Sequence, residues 1–193
     1  MNEQGGNGRE TEIRAIESAD FDEVLCIINA AAKAYRGVIP PDRWHDPYMG
    51  ADEFAADLAD GVRFSGCAAR GRLVGVMGIQ ARANVDLIRH AYVRPECQGA
   101  GIGSLLLRHL AQARQRPILI GTWRAADWAV RFYEANGFTR VSEQDAATLL
   151  RTYWTVPQPQ IAASVVLTSC VFSPHDLEQL IAGAQLPIPG ASF

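Results

Sequence analysis

The stretch from Val85 to Ala113 constrains the fold more than any other part of the chain. It starts as a β-type run, Val85 to Val93, passes Pro95, and crosses Gln98-Gly99-Ala100-Gly101-Ile102-Gly103-Ser104. Beyond that turn Ile102, Leu105, Leu106, Leu110 and Ala113 recur at helical spacing. A strand that hands over to an amphipathic helix must bury the helix against its sheet. A second step of the same kind follows. Pro117 stops the helix, Ile118-Leu119-Ile120 reads as a buried strand, and Asp127 to Asn136 is helical with Gly137 as its stop.

The three alternating glycines carry a chemical implication. Glycine lets main chain approach a ligand closely, because no Cβ stands between. The first N–H groups of the following helix lack intrahelical acceptors and present the positive end of its dipole. Such a turn suits phosphate or pyrophosphate; a glycine-rich turn without a ligand is the alternative. Spacing excludes two phosphate loops. A nucleoside-triphosphate loop needs Lys after its last glycine, where Ser104 follows Gly103. The dinucleotide fingerprint needs G-x-G-x-x-G and a later acidic residue, where this chain has G-x-G-x-G and Thr122-Trp123.

The remaining pattern frames that unit. Ile13 to Ile16 alternates as a short strand, and Asp20 caps a helix through Phe21, Val24, Leu25 and Ile28 that ends near Gly37. Pro40 and Pro41 open a loop to Met49, and Ala51 to Leu58 fits a short helix. Phe64 to Arg70 and Leu73 to Ile79 form an antiparallel hairpin about Gly71-Arg72. Phe138 to Ser142 and Ala162 to Cys170 read as strands, and Asp176 to Ala182 as a weak helix. Antiparallel strands followed by strand–helix–strand–helix predict an α/β fold with a mixed sheet. The expected division is a flexible polar leader (1–11), one domain (12–170) and a C-terminal extension (171–193).

Composition removes several function classes. With 193 residues, 48% apolar and 20% charged, the chain is no disordered segment. A net charge of −3 lacks the basic excess of a nucleic-acid binder. No apolar run approaches the ~20 residues of a membrane span, and Met1 to Glu12 has no secretory pattern, so a cytoplasmic location is expected. Cys26, Cys67, Cys97 and Cys170 form no C-x-x-C pair, which argues for free thiols and against a metal site.

The pattern Gln98-x-x-Gly101-x-Gly103 at a strand-to-helix step resembles the pyrophosphate signature of the GCN5-related N-acetyltransferase (GNAT) family. Downstream, Ala129-Val130-Arg131-Phe132-Tyr133-Glu134-Ala135-Asn136-Gly137-Phe138 resembles the family's A-x-x-F-Y-E-x-x-G-F helix and strand start. The resemblance runs from about Ile13 to Leu167 and implies a mostly antiparallel sheet of six to seven strands flanked by helices. It implies acetyl-CoA as co-substrate without a metal, and direct attack by a primary amine of a small molecule or peptide. A non-catalytic acyl-CoA sensor of the same fold is the alternative. Neither nucleic acid nor membrane is an expected partner, and the family's habit of pairing allows a homodimer.

Residue by residue, the resemblance implies that Ala91, Tyr92 and Val93 on the fourth strand pair with the pantetheine arm. It gives Gln98, Gly99, Ala100, Gly101, Ile102, Gly103 and Ser104 to the pyrophosphate, and Tyr133 to protonation of the departing thiolate. A phenol of pKa ~10 is a fitting donor to a thiolate whose acid has a pKa of ~8.5. Two departures stand out. The fourth strand has no Glu to act as base, which leaves His90, equally readable as a histidine satisfied by its sheet neighbours. Ala126 stands where the family often has an Asn contact to pantetheine. Strict alternation would put Ile88, His90 and Tyr92 on one face of that strand and Arg89, Ala91 and Val93 on the other. Tyr35, Arg36, Trp44, His45 and Tyr48 lie where the family walls its acceptor cleft, with Tyr153, Trp154 and Gln160 from the far side. Tyr35, Trp44 and Tyr48 are the candidate substrate residues, by cation–π contact, unless they only pin a long loop.

Overall fold

The computed structural model describes residues 11–112 and 114–184. All of the expected leader except Thr11 lies outside the described residues, as do Ala113 and the end of the extension. The chain runs β1 (Thr11–Ala15), α1 (Phe21–Ala32), α2 (Ala51–Ala59), β2 (Arg63–Ala69), β3 (Arg72–Arg82) and β4 (Val85–Val93). It continues α3 (Ile102–Ala111), β5 (Ile118–Trp123), α4 (Asp127–Ala135), β6 (Thr139–Arg140), α5 (Glu143–Tyr153), α6 (Gln158–Ala162), β7 (Ser164–Thr168) and α7 (Pro174–Ala184).

The strands form one sheet of seven in the order β1-β2-β3-β4-β5-β7-β6. Every neighbouring pair is antiparallel except β4 and β5. That exception follows from α3, which carries the chain back over the sheet between them. Helix stripes decide the layers. Leu106, Leu107 and Leu110 of α3 and Val130 of α4 pack with Met77, Ile79, Ile88, Ile118 and Ile120 on one face. On the other, Val24, Ile27 and Ile28 of α1 and Phe54 of α2 meet Phe64, Leu73 and Val76. Leu149, Leu150 and Tyr153 of α5 cover Leu87, Leu119 and Val166 on that same side.

Two local readings change. The helix expected to run to Gly37 stops at Ala32, because the chain tightens into a 3-10 turn over Lys33–Tyr35. The strand expected over Phe138 to Ser142 is only Thr139–Arg140, because Ser142 caps a helix. Its side chain accepts the N–H of Asp145, and Ala146, Leu149, Leu150 and Tyr153 form the buried stripe of α5. No helix was expected there or over α6. The tail helix α7 is fastened to the body: Asn84 Nδ2 donates to Leu180 O at 2.8 Å, and Tyr153 Oη donates to Asn84 Oδ1 at 2.8 Å. Among the described residues no helix is long and apolar enough to cross a membrane.

Candidate active site

A bulge in β4 creates the site. Val76 pairs with Tyr92 and Gly78 with Arg89, so β4 has one more residue than β3 across this interval. The surplus is absorbed at His90, whose φ of 51° is rare outside glycine. The bulge overturns the strict alternation expected for this strand. Ile88 shares its face with Ala91 and Val93 against α3, whereas Arg89 and His90 both reach Asp57 of α2 and Tyr92 packs with the α1–α2 cluster.

The bulge also ends sheet pairing. β4 and β5 stay together only over Asp86↔Ile118, Leu87↔Leu119 and Ile88↔Ile120, while β5 continues with β7 to Trp123↔Ser164. The two strands therefore part, and a cavity of about 450 Å³ lies between them, lined by Arg89, His90, Ala91 and Tyr92 on one side and Gly121, Thr122 and Trp123 on the other. Main-chain direction follows from one bond. Arg94 N–H donates to Val74 O at 2.9 Å, so in the alternating antiparallel ladder Tyr92 faces β3, while Ala91 and Val93 turn their polar groups toward the opening. Gln98 Nε2 takes the Val93 carbonyl at 3.1 Å.

The glycine turn sits at the end of that edge. A 3-10 turn over Pro95–Cys97 leads into it, held by Arg94, which is buried and donates from Nε to Leu73 O at 2.7 Å and from Nη2 to Glu23 at 3.0 Å. Gly99 and Gly101 have φ of 75° and 80°, and a Cβ on either would meet nothing within 4 Å. Leu105 N–H is the first amide of α3 to find a backbone acceptor, Gly101 O; among the described residues those from Gly99 to Ser104 find none. Gly103 serves a different purpose. A Cβ there would lie 3.1 Å from the Phe132 ring, so its absence lets α3 and α4 close together. Gly103→Val is expected to lower stability by about 1–3 kcal/mol through overpacking; urea unfolding measures it. Cys97 packs against the core cluster beside Cys67.

Helix α4 brings Tyr133 into the same cavity, wedged edge-on between Phe132 and Phe138 with ring centroids 5.0 and 6.3 Å away. Burial, reinforced by nearby Tyr35, pushes its hydroxyl far above the ordinary phenol value, so it remains protonated through neutral pH. His90 lines the cavity as well, its ring stacked on Phe64 and its Nε2 2.8 Å from Asp57 Oδ2. The approach is close but bent, so Nε2 forms no directed hydrogen bond. Burial alone would raise the Asp57 carboxyl; His90 and Arg89 outweigh it and hold the carboxyl below its ordinary value. A lowered carboxylate stabilises the fold above its unfolded pKa of about 3.9, and that stability is lost as pH falls through the folded value. Asp57→Asn is therefore expected to lose less stability than the native chain between about pH 5 and pH 2, compared by urea midpoints.

Aromatic rings wall the acceptor side. Tyr35 and Tyr48 stack at 5.9 Å, and both line the cavity with His45. Burial chiefly, and then Tyr48, push Tyr35 up to about 12, against a hydrogen bond with Thr122. Trp44 is a correction. It stacks on Tyr48 at 5.6 Å and packs with Ile39, Trp123 and Ala126, behind the wall rather than in it. Arg36 is not part of the lining either. Trp154 and Gln160 line the far side, whereas Tyr153 points into the α5–α7 contact. Sequence reasoning missed Asp42, Arg43, Glu53, Asp57 and Trp123. Of these only Trp123 carried a local signal, as the end of an apolar strand.

Residues 60–140, from the end of α2 to β6, match the family model described as acetyltransferase (GNAT) domain. Over that stretch the chain resembles a GNAT acetyltransferase domain. Solved structures agree on the fold. PaiA N-acetyltransferase from Thermoplasma acidophilum, solved with coenzyme A, is 16% identical with a TM-score of 0.64, over 83% of this chain and 99% of that one. A GNAT-family acetyltransferase from Staphylococcus aureus Mu50 is 18% identical with a TM-score of 0.61, over 82% and 97%. The ribosomal-protein-S18-alanine N-acetyltransferase of Escherichia coli is 15% identical with a TM-score of 0.58, over 85% and 97%. No curated protein matches the sequence. The matched stretch holds the bulged strand, the glycine turn and Tyr133. Among the described residues no cluster of His, Cys, Asp and Glu suits a metal ion.

Proposed function

We propose that the chain is an acetyl-CoA-dependent N-acetyltransferase that acts on a primary amine by direct attack in a ternary complex. The observation that carries the reading is continuity. Ala91 and Tyr133 line one cavity, and from that edge the chain runs through Val93 into the turn whose amides from Gly99 to Ser104 find no backbone acceptor among the described residues. The open space over Gly99 and Gly101 fits a diphosphate against those amides. The edge between β4 and β5 fits an amide-bearing arm as a strand would be fitted.

Each group then has a task. Glycine-turn amides bind the diphosphate, and the main chain of Ala91 and Val93 aligns the pantetheine. An N–H on this edge polarises the thioester carbonyl, as an oxyanion-hole donor does. His90 takes the proton that the attacking ammonium must lose. As the nitrogen bonds to the acyl carbon and the carbon–sulfur bond breaks, the Tyr133 hydroxyl gives its proton to the departing sulfur. The acceptor lies against Tyr35 and Tyr48.

Binding is tested by melting. At a hundredfold excess over Kd, CoA stabilises by about 2.7 kcal/mol, which raises the melting temperature of a chain this size by roughly 5–10 °C. Thiol release from acetyl-CoA with a panel of amines then separates the readings. Release with an amine supports the transferase. A melting rise with no release for any amine leaves a CoA-binding module instead.

A further inference from the structure

Among the described residues two buried side-chain nitrogens lack a hydrogen-bond partner, Arg43 Nε and His90 Nε2. Both belong to the wall of the same cavity. A buried donor without an acceptor is uncommon in a folded chain and calls for a partner. His90 has its place in the proton transfer proposed above; Arg43 has none.

Asp42 does not satisfy Arg43. Its Oδ2 lies 3.2 Å from Arg43 Nε, yet the N–H is not directed at it, and the Asp42 side chain is 68% exposed. Such a pair screens charge and contributes little to stability. Nε itself is covered, and the Arg43 side chain is 30% exposed and lines the cavity, so an acceptor oxygen arriving there would meet the outer nitrogens of its guanidinium. A guanidinium edge matches a carboxylate in shape as well as charge.

The charge of the wall narrows the ligand further. Asp42 and Glu53 oppose Arg43 and Arg89, which gives a lining with no net excess of either sign apart from His90. Arg89 is already occupied, donating to Gln80 Oε1 at 2.8 Å and to Asp57 Oδ1 at 3.1 Å. Among the described residues of the lining, Arg43 is the guanidinium held only by an exposed, undirected ion pair; a single such cation suits a monoanion, and the two carboxylates disfavour phosphate dianions. The balance equally disfavours polycationic acceptors, which would leave Arg43 facing like charge. Tyr35 and Tyr48 line the same cavity and place aromatic ring edges and hydroxyls beside the body of a small ligand.

We propose that the acceptor is an amino acid or similar small zwitterion, its carboxylate held by Arg43 and its amine turned to His90. The assignment rests on the acetyltransferase reading and names its acceptor class.

The test uses the full chain with acetyl-CoA and matched acceptors that differ by one carboxylate: phenylalanine against phenethylamine, methionine against 3-(methylthio)propylamine, and lysine against cadaverine. Thiol release gives kcat/KM for each. In at least one pair the carboxylate-bearing member is expected to exceed its partner by about tenfold or more, since a site with a buried donor discriminates against a ligand lacking the acceptor. Arg43→Gln is expected to collapse that ratio toward one, mainly by raising KM for the amino acid. Arg43→Lys, which keeps the charge and loses the fork, is expected to fall between. The CoA-induced melting rise shows that each variant is folded. Equal rates within every pair, better rates for every decarboxylated amine, or no release with any amino acid would overturn the proposal. If acetyl-CoA produces no melting rise in the native chain, the acetyltransferase reading fails, and this assignment with it.

Discussion

Gly101→Val is expected to remove the melting rise that CoA gives the native chain while leaving the chain folded. Gly101 is the residue before α3, with φ of 80°, and the space a Cβ would enter is empty. The fold therefore tolerates added bulk there. What it does not tolerate is the backbone change. A β-branched residue at positive φ is a true outlier, costing roughly 1–2 kcal/mol or more. The chain is expected to relax by rotating to negative φ, which re-aims the amides of Gly101, Ile102 and Gly103 away from a common point. Binding by main-chain amides has no substitute once their directions diverge. The expected readouts are a melting temperature a few degrees below native without CoA and no rise at millimolar CoA. Gly103→Val should behave differently. It loses stability against Phe132 and keeps most of the CoA response, since Gly103 fills a packing role.

Tyr133→Phe is expected to reduce kcat by about 10²- to 10⁴-fold, the range for a positioned general acid, with little change in the CoA melting rise. Removing one oxygen leaves the ring wedged between Phe132 and Phe138, so packing is preserved. Burial holds the Tyr133 hydroxyl in its protonated form. Its role as donor therefore imposes no loss of rate between neutral pH and the ordinary phenol range near ~10. Equal turnover by the two proteins would show that the departing sulfur gets its proton elsewhere.

What the sequence disclosed was what lies close together along it. Gln98 to Ser104 and Ala129 to Phe138 are contiguous, and each encodes its own geometry through glycines at positive φ or a buried helix face. The strand preceding the glycine turn was legible by its length. Its bulge at His90 was not, because the residue pattern is compatible with plain alternation. The additional residue shows only when β3 is laid beside β4. The α5 helix had a cap at Ser142 and a full apolar stripe, yet the strand expected over Phe138 to Ser142 obscured its start.

The acceptor wall was hardest to read, for a topological reason. Tyr35 and Tyr48 were anticipated as rings near the first helices, but Asp42, Arg43, Glu53 and Asp57 are ordinary surface charges until β4 and β5 separate beneath them. Trp44 and Trp123 illustrate the ambiguity. One was expected in the wall and lies behind it; the other ends a strand and faces the cavity. An aromatic residue's role here depends on which side of a 450 Å³ opening it occupies, and long-range pairing decides that.

A crystal structure with acetyl-CoA tests the central claim most directly. The account predicts diphosphate oxygens about 2.7–3.2 Å from the amides of Gly99 to Ser104. It further predicts the pantetheine paired with the free edge at Ala91 and Val93, and the sulfur beside the Tyr133 hydroxyl. A diphosphate bound elsewhere, or a thioester remote from Tyr133, would contradict it.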